Sequence, residues 1–188
     1  YSTMLSDTQL KQKKIKSLKD SFHALMWISM RQFSQQLQKY NLTQPQFITL
    51  ASLAAHQQAC TMRELTDVTF QDPPTMTGIV DRLVKMGLVK RTRSETDRRV
   101  VLVQTTPTGQ QLIQQIDNDF MQNEISCYAS LSDEELETFE KFIWLQLRVL
   151  VGRYRDIQAT DLDREMENLQ NFMSDPIHYL RLENSGKD

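Results

Sequence analysis

The most distinctive chemistry in this sequence lies in charged side chains between two predicted strands. The run Leu88-Val-Lys-Arg-Thr92 alternates apolar and cationic residues, and Val100-Val-Leu-Val-Gln104 is rich in β-branched residues, so the polar residues 93–99 would form the tip of a β-hairpin. Because strand residues two apart share a face, Asp97 and Arg99 should project together, with the carboxylate holding the guanidinium extended. An extended arginine suits a narrow, electronegative A·T minor groove. The alternative is that Arg99 is an ordinary solvated charge on the protein surface.

A second group of candidates lies on the helix predicted just before the hairpin. This segment starts with Pro74-Thr75-Met76-Thr77, and would offer free backbone N–H groups and two threonine hydroxyls to phosphates and base edges. Helix capping is the alternative role for Thr75 and Thr77. Further along the same helix, Arg82 could contact a nucleic acid or form an ion pair with Asp81.

Charge is distributed unevenly along the chain, although the formal net charge is only −2. Residues 1–60 hold seven Lys or Arg against two Asp or Glu, whereas residues 117–188 hold seven against sixteen. This asymmetry suits a protein that turns one surface toward a polyanion and another away from it. Three cations of the predicted hairpin would attract phosphates regardless of base sequence, or would keep a strand edge soluble: Lys90, Arg91 and Arg93.

The elements that position these side chains are predicted to be mostly helices, because the sequence has only five Gly and five Pro. The first elements are a long helix over 7–40, a helix near Thr43, a short helix from the capping box Thr61-Met-Arg-Glu64 to Val68, and a loop over 69–74. The next elements are a helix over 75–86, with Gly87 at its end, and then the hairpin. Two more helices are predicted, one beginning at Thr106-Pro107 and one at a second capping box, Ser132-Asp-Glu-Glu135. This order predicts a winged helix-turn-helix across residues 43–105.

Other chemistries lack support in the sequence. It contains no nucleophile-elbow, phosphate-loop or zinc-protease motif, so we predict that the protein is not an enzyme. His23, His56 and His178 lack ligand spacing, and no metal or cofactor is therefore expected. Cys60 and Cys127 are predicted to be inert thiols rather than redox sensors. Without a long apolar run or a secretory signal, we expect a cytoplasmic protein with no membrane segment.

Three segments at characteristic spacings point to a known family. They are Thr75-Met-Thr-Gly-Ile-Val-Asp-Arg-Leu-Val-Lys-Met-Gly-Leu-Val-Lys-Arg91, Asp97-Arg98-Arg99 and Leu102-Val-Gln-Thr-Thr-Pro-Thr-Gly109. Together they resemble the MarR (multiple antibiotic resistance regulator) family of bacterial transcription factors, in its recognition helix ending in GLV, its DRR wing and its LT-x-x-G helix start. The resemblance covers about residues 15–150. Two departures are Gly78, where many members carry a larger, often basic side chain, and Pro73-Pro74, which stiffens the preceding turn.

The resemblance implies a homodimer that binds a palindromic operator in double-stranded DNA. Residues 43–105 would be the DNA-binding lobe, residues 7–42 and 107–155 the helical dimerisation region, and residues 156–188 an acidic C-terminal extension. The expected fold class is therefore mainly α with a small β-hairpin wing. A transcriptional regulator, specifically a repressor, is the predicted function, and a winged-helix module for protein–protein contact is the alternative.

The resemblance also implies roles for individual residues. By position, Arg99 would be the minor-groove arginine and Asp97 its buttress, and Arg98 belongs to the same group of DNA-binding candidates. Family members are often released from DNA by a small-molecule effector. His23 and Trp27, one helical turn apart on the first helix, could line such an effector pocket or belong to the dimer core.

Overall fold

The computed structural model describes residues 7–56 and 58–154, with the backbone alone for 151–154, and five residues further on: Glu167, Asn168, Asn171, Ser174 and Asp175. Within this part of the chain the helices are α1 (Asp7–Gln38), α2 (Gln44–His56), α3 (Met62–Thr69), α4 (Pro73–Lys85), α5 (Pro107–Tyr128) and α6 (Asp133–Tyr154). The strands are β1 (Cys60–Thr61), β2 (Val89–Arg93) and β3 (Val101–Thr105). The predicted fold class, mainly helical with a small sheet, is confirmed.

The chain divides into two compact units, one ending at Phe47 and the other beginning at Ile48. In the first unit α1 ends two residues before the predicted Tyr40, because Asn41 adopts a left-handed conformation with φ 57°. The amide of Leu42 then donates to the Leu37 carbonyl at 3.2 Å, which satisfies a carbonyl of the last helical turn. The rings of Phe33 and Phe47 meet edge to face with centroids 5.4 Å apart.

In the second unit, α3 and α4 form the helix-turn-helix. The predicted capping box is confirmed, since the Glu64 amide donates to the Thr61 hydroxyl and the Glu64 carboxylate accepts the Thr61 amide at 2.6 Å. Apolar residues at helical spacing form the buried stripe of α4: Met76, Ile79, Val80 and Leu83. Met86 departs from that stripe and is 38% exposed, because the helix ends at Lys85. Gly87 follows with φ +72°, the left-handed conformation predicted for it.

The sheet has three antiparallel strands in the order β1-β3-β2. Strand β1, which pairs Cys60 with Val103, was missing from the sequence-based prediction because two residues give no measurable periodicity. The predicted strands β2 and β3 each lie one residue further along the chain than expected. The thiol of Cys60 is fully buried and lies 3.8 Å from the Val103 carbonyl, so this cysteine is a core residue.

The start of α5 is fastened to the turn before β2. The Thr106 amide donates to the Leu88 carbonyl at 3.0 Å, and the Thr106 hydroxyl donates to the Gly87 carbonyl at 2.7 Å. Gly109 packs so closely that a Cβ there would lie 2.1 Å from the Leu88 carbonyl oxygen. The glycine of the LT-x-x-G pattern therefore allows helix and turn to approach, while Thr106 caps the helix by accepting the Gly109 amide. The Ser132–Glu135 capping box of α6 is also confirmed.

The predicted acidic extension, residues 156–188, lies almost wholly outside the described residues. One described contact links it to α2 within the second unit: a carboxylate oxygen of Asp175 lies 3.2 Å from Nδ1 of His56, at the end of that helix. The His56 side chain is only 3% exposed. None of the helices in the described part of the chain combines the length and the hydropathy that a membrane-spanning helix requires.

Candidate nucleic-acid interface

The first turn of α4 is capped by Asp72, a residue predicted to lie in the preceding loop. The Asp72 carboxylate accepts the Thr75 amide at 2.9 Å and the Thr75 hydroxyl at 2.7 Å. The helix therefore begins at Pro73, two residues before the predicted start. Backbone and side-chain hydrogen bonds from Thr75 hold the pKa of Asp72 below its usual value, so this carboxylate stays charged at neutral pH.

The prediction of free N–H groups at the start of α4 is wrong. Pro73 and Pro74 have no N–H, and the amides of Thr75 and Met76 donate to the side chain and the carbonyl of Asp72. A carboxylate at this position would also repel a phosphate. Any contact of the first turn of α4 with a nucleic acid would therefore use side chains rather than an anion-binding helix end.

The side chains available on α4 form an exposed surface. Thr75, Thr77 and Arg82 are all exposed, and the Thr77 hydroxyl donates back to the Pro73 carbonyl at 2.9 Å. Neither threonine caps the helix, because Asp72 takes that position, and each hydroxyl instead donates to a group at the start of the helix. A hydroxyl that donates one hydrogen bond can still accept another. Gly78 lies between them and Arg82, with no atom within 4 Å of the position that a Cβ would occupy.

The structure changes the role of Arg91. Its guanidinium forms an ion pair with Asp81 and also donates to the Thr77 carbonyl at 3.4 Å. The alternative pair between Asp81 and Arg82 is not the one formed, because adjacent residues on a helix point in different directions. Arg91 therefore braces strand β2 against α4, which favours a positioning role, and its predicted role as a phosphate attractor stays a prediction.

If this surface binds an operator, as the family resemblance implies, Arg91→Ala and Asp81→Ala should each weaken binding by about 0.5–1 kcal/mol per half-site, because either change frees the hairpin from α4. The double variant should be no weaker than either single variant, since both remove the same contact. The decisive measurement is affinity against salt concentration. If Arg91 is only a brace, Arg91→Ala should leave the slope of log affinity against log salt concentration unchanged. If Arg91 contacts a phosphate, Arg91→Ala should reduce the magnitude of that slope by about one per half-site, and Asp81→Ala should bind more tightly. Lys90→Ala, which removes an exposed neighbouring cation, is the control for a reduced slope.

The wing tip is a turn rather than a continuation of the strands. Residues 94–100 lie between β2 and β3 as bends and turns, so the prediction that Asp97 and Arg99 share one face of a strand is wrong. Asp97 instead accepts the backbone N–H of Arg99 through its carboxylate at 2.9 Å, and its own carbonyl accepts the Val100 amide at 2.9 Å. The Ser94 hydroxyl accepts the Thr96 and Asp97 amides at 3.3 and 3.4 Å. Asp97 thus shapes the backbone that carries Arg99.

The tip presents its guanidinium groups to solvent. Arg93, Arg98 and Arg99 are exposed, and within the described part of the chain none of them forms an ion pair. Lys90 is exposed on β2. The second unit therefore combines an exposed helix surface with a cationic turn, and Arg91 joins the two.

Comparison with known proteins identifies the family. Residues 40–100 match the family model described as MarR family. An uncharacterized HTH-type transcriptional regulator of Bacillus subtilis, YsmB, is 33% identical over 105 residues, which cover 56% of this chain and 71% of the relative. The chain belongs to the MarR family. The organic hydroperoxide resistance transcriptional regulator of the same organism is 34% identical over 89 residues, covering 45% of this chain and 60% of that regulator.

Solved MarR-family structures have the same fold. A point mutant of MepR from Staphylococcus aureus matches with a TM-score of 0.66 and 24% identity, covering 70% of this chain and 97% of that one. A cysteine-to-serine mutant of MarR from Escherichia coli matches with a TM-score of 0.60 and 27% identity, covering 69% and 96%. The winged-helix architecture predicted from the sequence is thereby confirmed, and the family is one of transcriptional regulators rather than enzymes.

Two further candidates of this MarR-family protein belong to the first unit. His23 and Trp27 are exposed on α1, and Trp27 is 64% exposed with the Arg31 guanidinium 5.5 Å from the centre of its ring. Their assignment to an effector pocket stays a prediction.

Two residues that shape the site, Asp72 and Ser94, were not predicted from the sequence. An Asp three residues before a threonine and a Ser in a polar turn are nevertheless recognisable capping signals.

Proposed function

We propose that this MarR-family protein represses transcription by binding a palindromic operator in double-stranded DNA as a homodimer, and that a small-molecule effector releases it. In this proposal the exposed residues of α4, Thr75, Thr77 and Arg82, enter the major groove. Arg99 enters the adjacent minor groove, while Lys90, Arg93 and Arg98 attract phosphates. The observation that carries the proposal is the brace from Arg91 to α4, which holds the cationic wing beside the recognition helix.

The dimer has its own support in the apolar residues that one chain leaves exposed. On α1 they are Leu10, Ile15, Leu18, Leu25, Met26, Trp27, Ile28 and Met30. On α5 and α6 they are Met121, Ile125, Tyr128, Leu136, Phe139, Phe142, Leu145, Val149 and Leu150. Monomeric proteins rarely expose apolar surface in such continuous helical stretches. We therefore assign dimerisation to residues 7–42 and 107–155, and DNA binding to residues 43–105.

The charge pattern supports the same assignment. The basic residues concentrate in the first half of the chain, and sixteen of the Asp and Glu residues lie beyond position 116. A protein that docks through α4 and its wing presents basic residues to the phosphates, whereas most of its acidic residues lie in later segments of the chain. A wing used for protein contact would have no need of the Asp97–Arg99 turn, which makes that alternative the weaker one.

The test is to recover the operator from the genome of the source organism. Purified protein is mixed with sheared genomic DNA at near-physiological salt, and the retained fragments are sequenced. We expect one enriched palindrome, with half-sites about 10 base pairs apart from centre to centre and A·T-rich flanks where the wings lie. An Arg98→Ala/Arg99→Ala variant is the matched control and should retain the same fragments more weakly. Retention of fragments with no shared sequence would contradict the proposal.

A further inference from the structure

The turn between α3 and α4 contains a residue that costs the fold stability. Phe70 is the C-cap of α3 and adopts a left-handed conformation with φ 54° and ψ 28°. For an L-residue with a bulky side chain this conformation is unfavourable, and glycine or asparagine would adopt it at lower cost. The side chain is also 81% exposed, so the ring gains little from burial in the chain. Phe70 is thus strained and solvated at once.

The neighbours of Phe70 show that its conformation is held by its surroundings. On one side Thr69 is buried, and its hydroxyl donates to the Leu65 carbonyl at 2.7 Å. On the other side the Gln71 side-chain amide donates to the Thr69 carbonyl at 3.3 Å, and Asp72 caps α4. The backbone before and after Phe70 is therefore fixed, and the left-handed residue between these contacts directs its ring outward.

The position of the Phe70 ring next to α4 indicates which kind of molecule would cover it. Phe70 is two residues before the N-cap of α4, so it borders the turn of the recognition helix that carries Thr75 and Thr77. The exposed apolar residues assigned to the dimer lie on other elements, α1, α5 and α6. A phenyl ring has no charge for a phosphate, and the apolar group that a duplex offers in its major groove is the C5-methyl of thymine.

We propose that Phe70 is a specificity-determining residue whose ring packs against a thymine methyl at the edge of the major groove. The inference rests on the proposed function, because it needs an operator. It explains why the turn has a phenylalanine where glycine would be more stable: strain and exposure in the free protein are offset when the ring is covered by DNA.

The test combines protein variants with a modified base. The operator recovered from the genome is synthesised with deoxyuridine in place of each thymine of a half-site in turn, which removes only the C5-methyl. At one thymine, the wild-type protein should bind about fourfold more weakly per half-site, the loss expected for one buried methyl group. Phe70→Ala should bind the normal operator more weakly but should not respond to deoxyuridine at that thymine.

A second test compares stability with affinity, which we expect to change in opposite directions. Phe70→Gly should raise the melting temperature by about 2–4 °C, because it relieves the left-handed strain, and should lower operator affinity. Asn41→Gly, which changes the other non-glycine residue of positive φ in the described chain, is the matched control and should leave affinity unchanged. Equal deoxyuridine effects on wild type and Phe70→Ala would overturn the inference, as would unchanged affinity in Phe70→Gly. Failure of the wild type to bind any operator would instead count against the proposed function.

Discussion

Replacing Arg99 with alanine should lower operator affinity by about 1–3 kcal/mol per half-site, the usual loss for a specific contact. The guanidinium is exposed at the wing tip and forms no ion pair within the described chain, so it is available to enter an A·T-rich minor groove. Arg99→Lys should restore little, because an ammonium is more strongly hydrated and loses more on entering a narrow groove. Binding titrations at fixed salt measure each change, and the melting temperature should not move.

Asp97 provides the control that separates geometry from charge. Because its carboxylate accepts the Arg99 backbone N–H, Asp97→Asn keeps an acceptor oxygen and should bind the operator nearly as well as the wild type. Asp97→Ala removes the acceptor and should bind more weakly, since the turn that presents Arg99 loosens. If the wing were only a basic patch, both variants would bind more tightly through the loss of a negative charge. Tighter binding by Asp97→Ala, or full restoration by Arg99→Lys, would contradict the minor-groove assignment.

The largest expected effect follows from disrupting the dimer. The chain of 22.0 kDa should behave in solution as a particle of about 44 kDa. Leu145 and Val149 are one turn apart on α6 and are 61% and 58% exposed. The variant Leu145→Glu/Val149→Glu should therefore leave the folded monomer intact, but would bury two charges in the dimer. Light scattering at micromolar concentration should show a monomer, and operator affinity should fall about a hundredfold or more as the half-sites uncouple.

Thr138→Glu is the matched control for this variant, because it adds a charge at an exposed polar position of the same helix. It should remain a dimer and bind the operator normally. Circular dichroism should show equal helix content in all three proteins. A wild-type chain that is monomeric at micromolar concentration would refute the dimer, and a stable dimer of the double variant would exclude the α6 surface from the interface.

Much of the fold could be predicted because its signals are local. The capping boxes at Thr61–Glu64 and Ser132–Glu135 each join residues three apart, and both are present. Gly87 has the positive φ that the end of a helix requires. Such features depend on residue types and backbone geometry within one turn, so sequence patterns are enough to predict them.

The candidate site was predicted less completely, because its arrangement depends on contacts between elements. Asp81 has a cation beside it in sequence, Arg82, but pairs with Arg91 on a strand ten residues away. Asp97 was expected to hold the Arg99 guanidinium, but its carboxylate instead accepts the Arg99 backbone N–H. In both cases the sequence identified an acidic residue that positions the site but not the group that it contacts. The direction of a side chain depends on where its strand or helix ends.

By itself the sequence determined the family, the order of the helices and the cations available to a nucleic acid, since these follow from residue type and short-range spacing. Only the tertiary structure showed that Arg91 pairs with Asp81 while the other cations of the hairpin are exposed to solvent. It also showed that Asp72 caps the first turn of α4. It likewise paired Cys60 with Val103, 43 residues apart, and placed Asp175 against His56, 119 residues apart. The physical reason is that local hydrogen bonds constrain only neighbouring residues, whereas packing chooses among distant partners that sequence patterns leave equivalent.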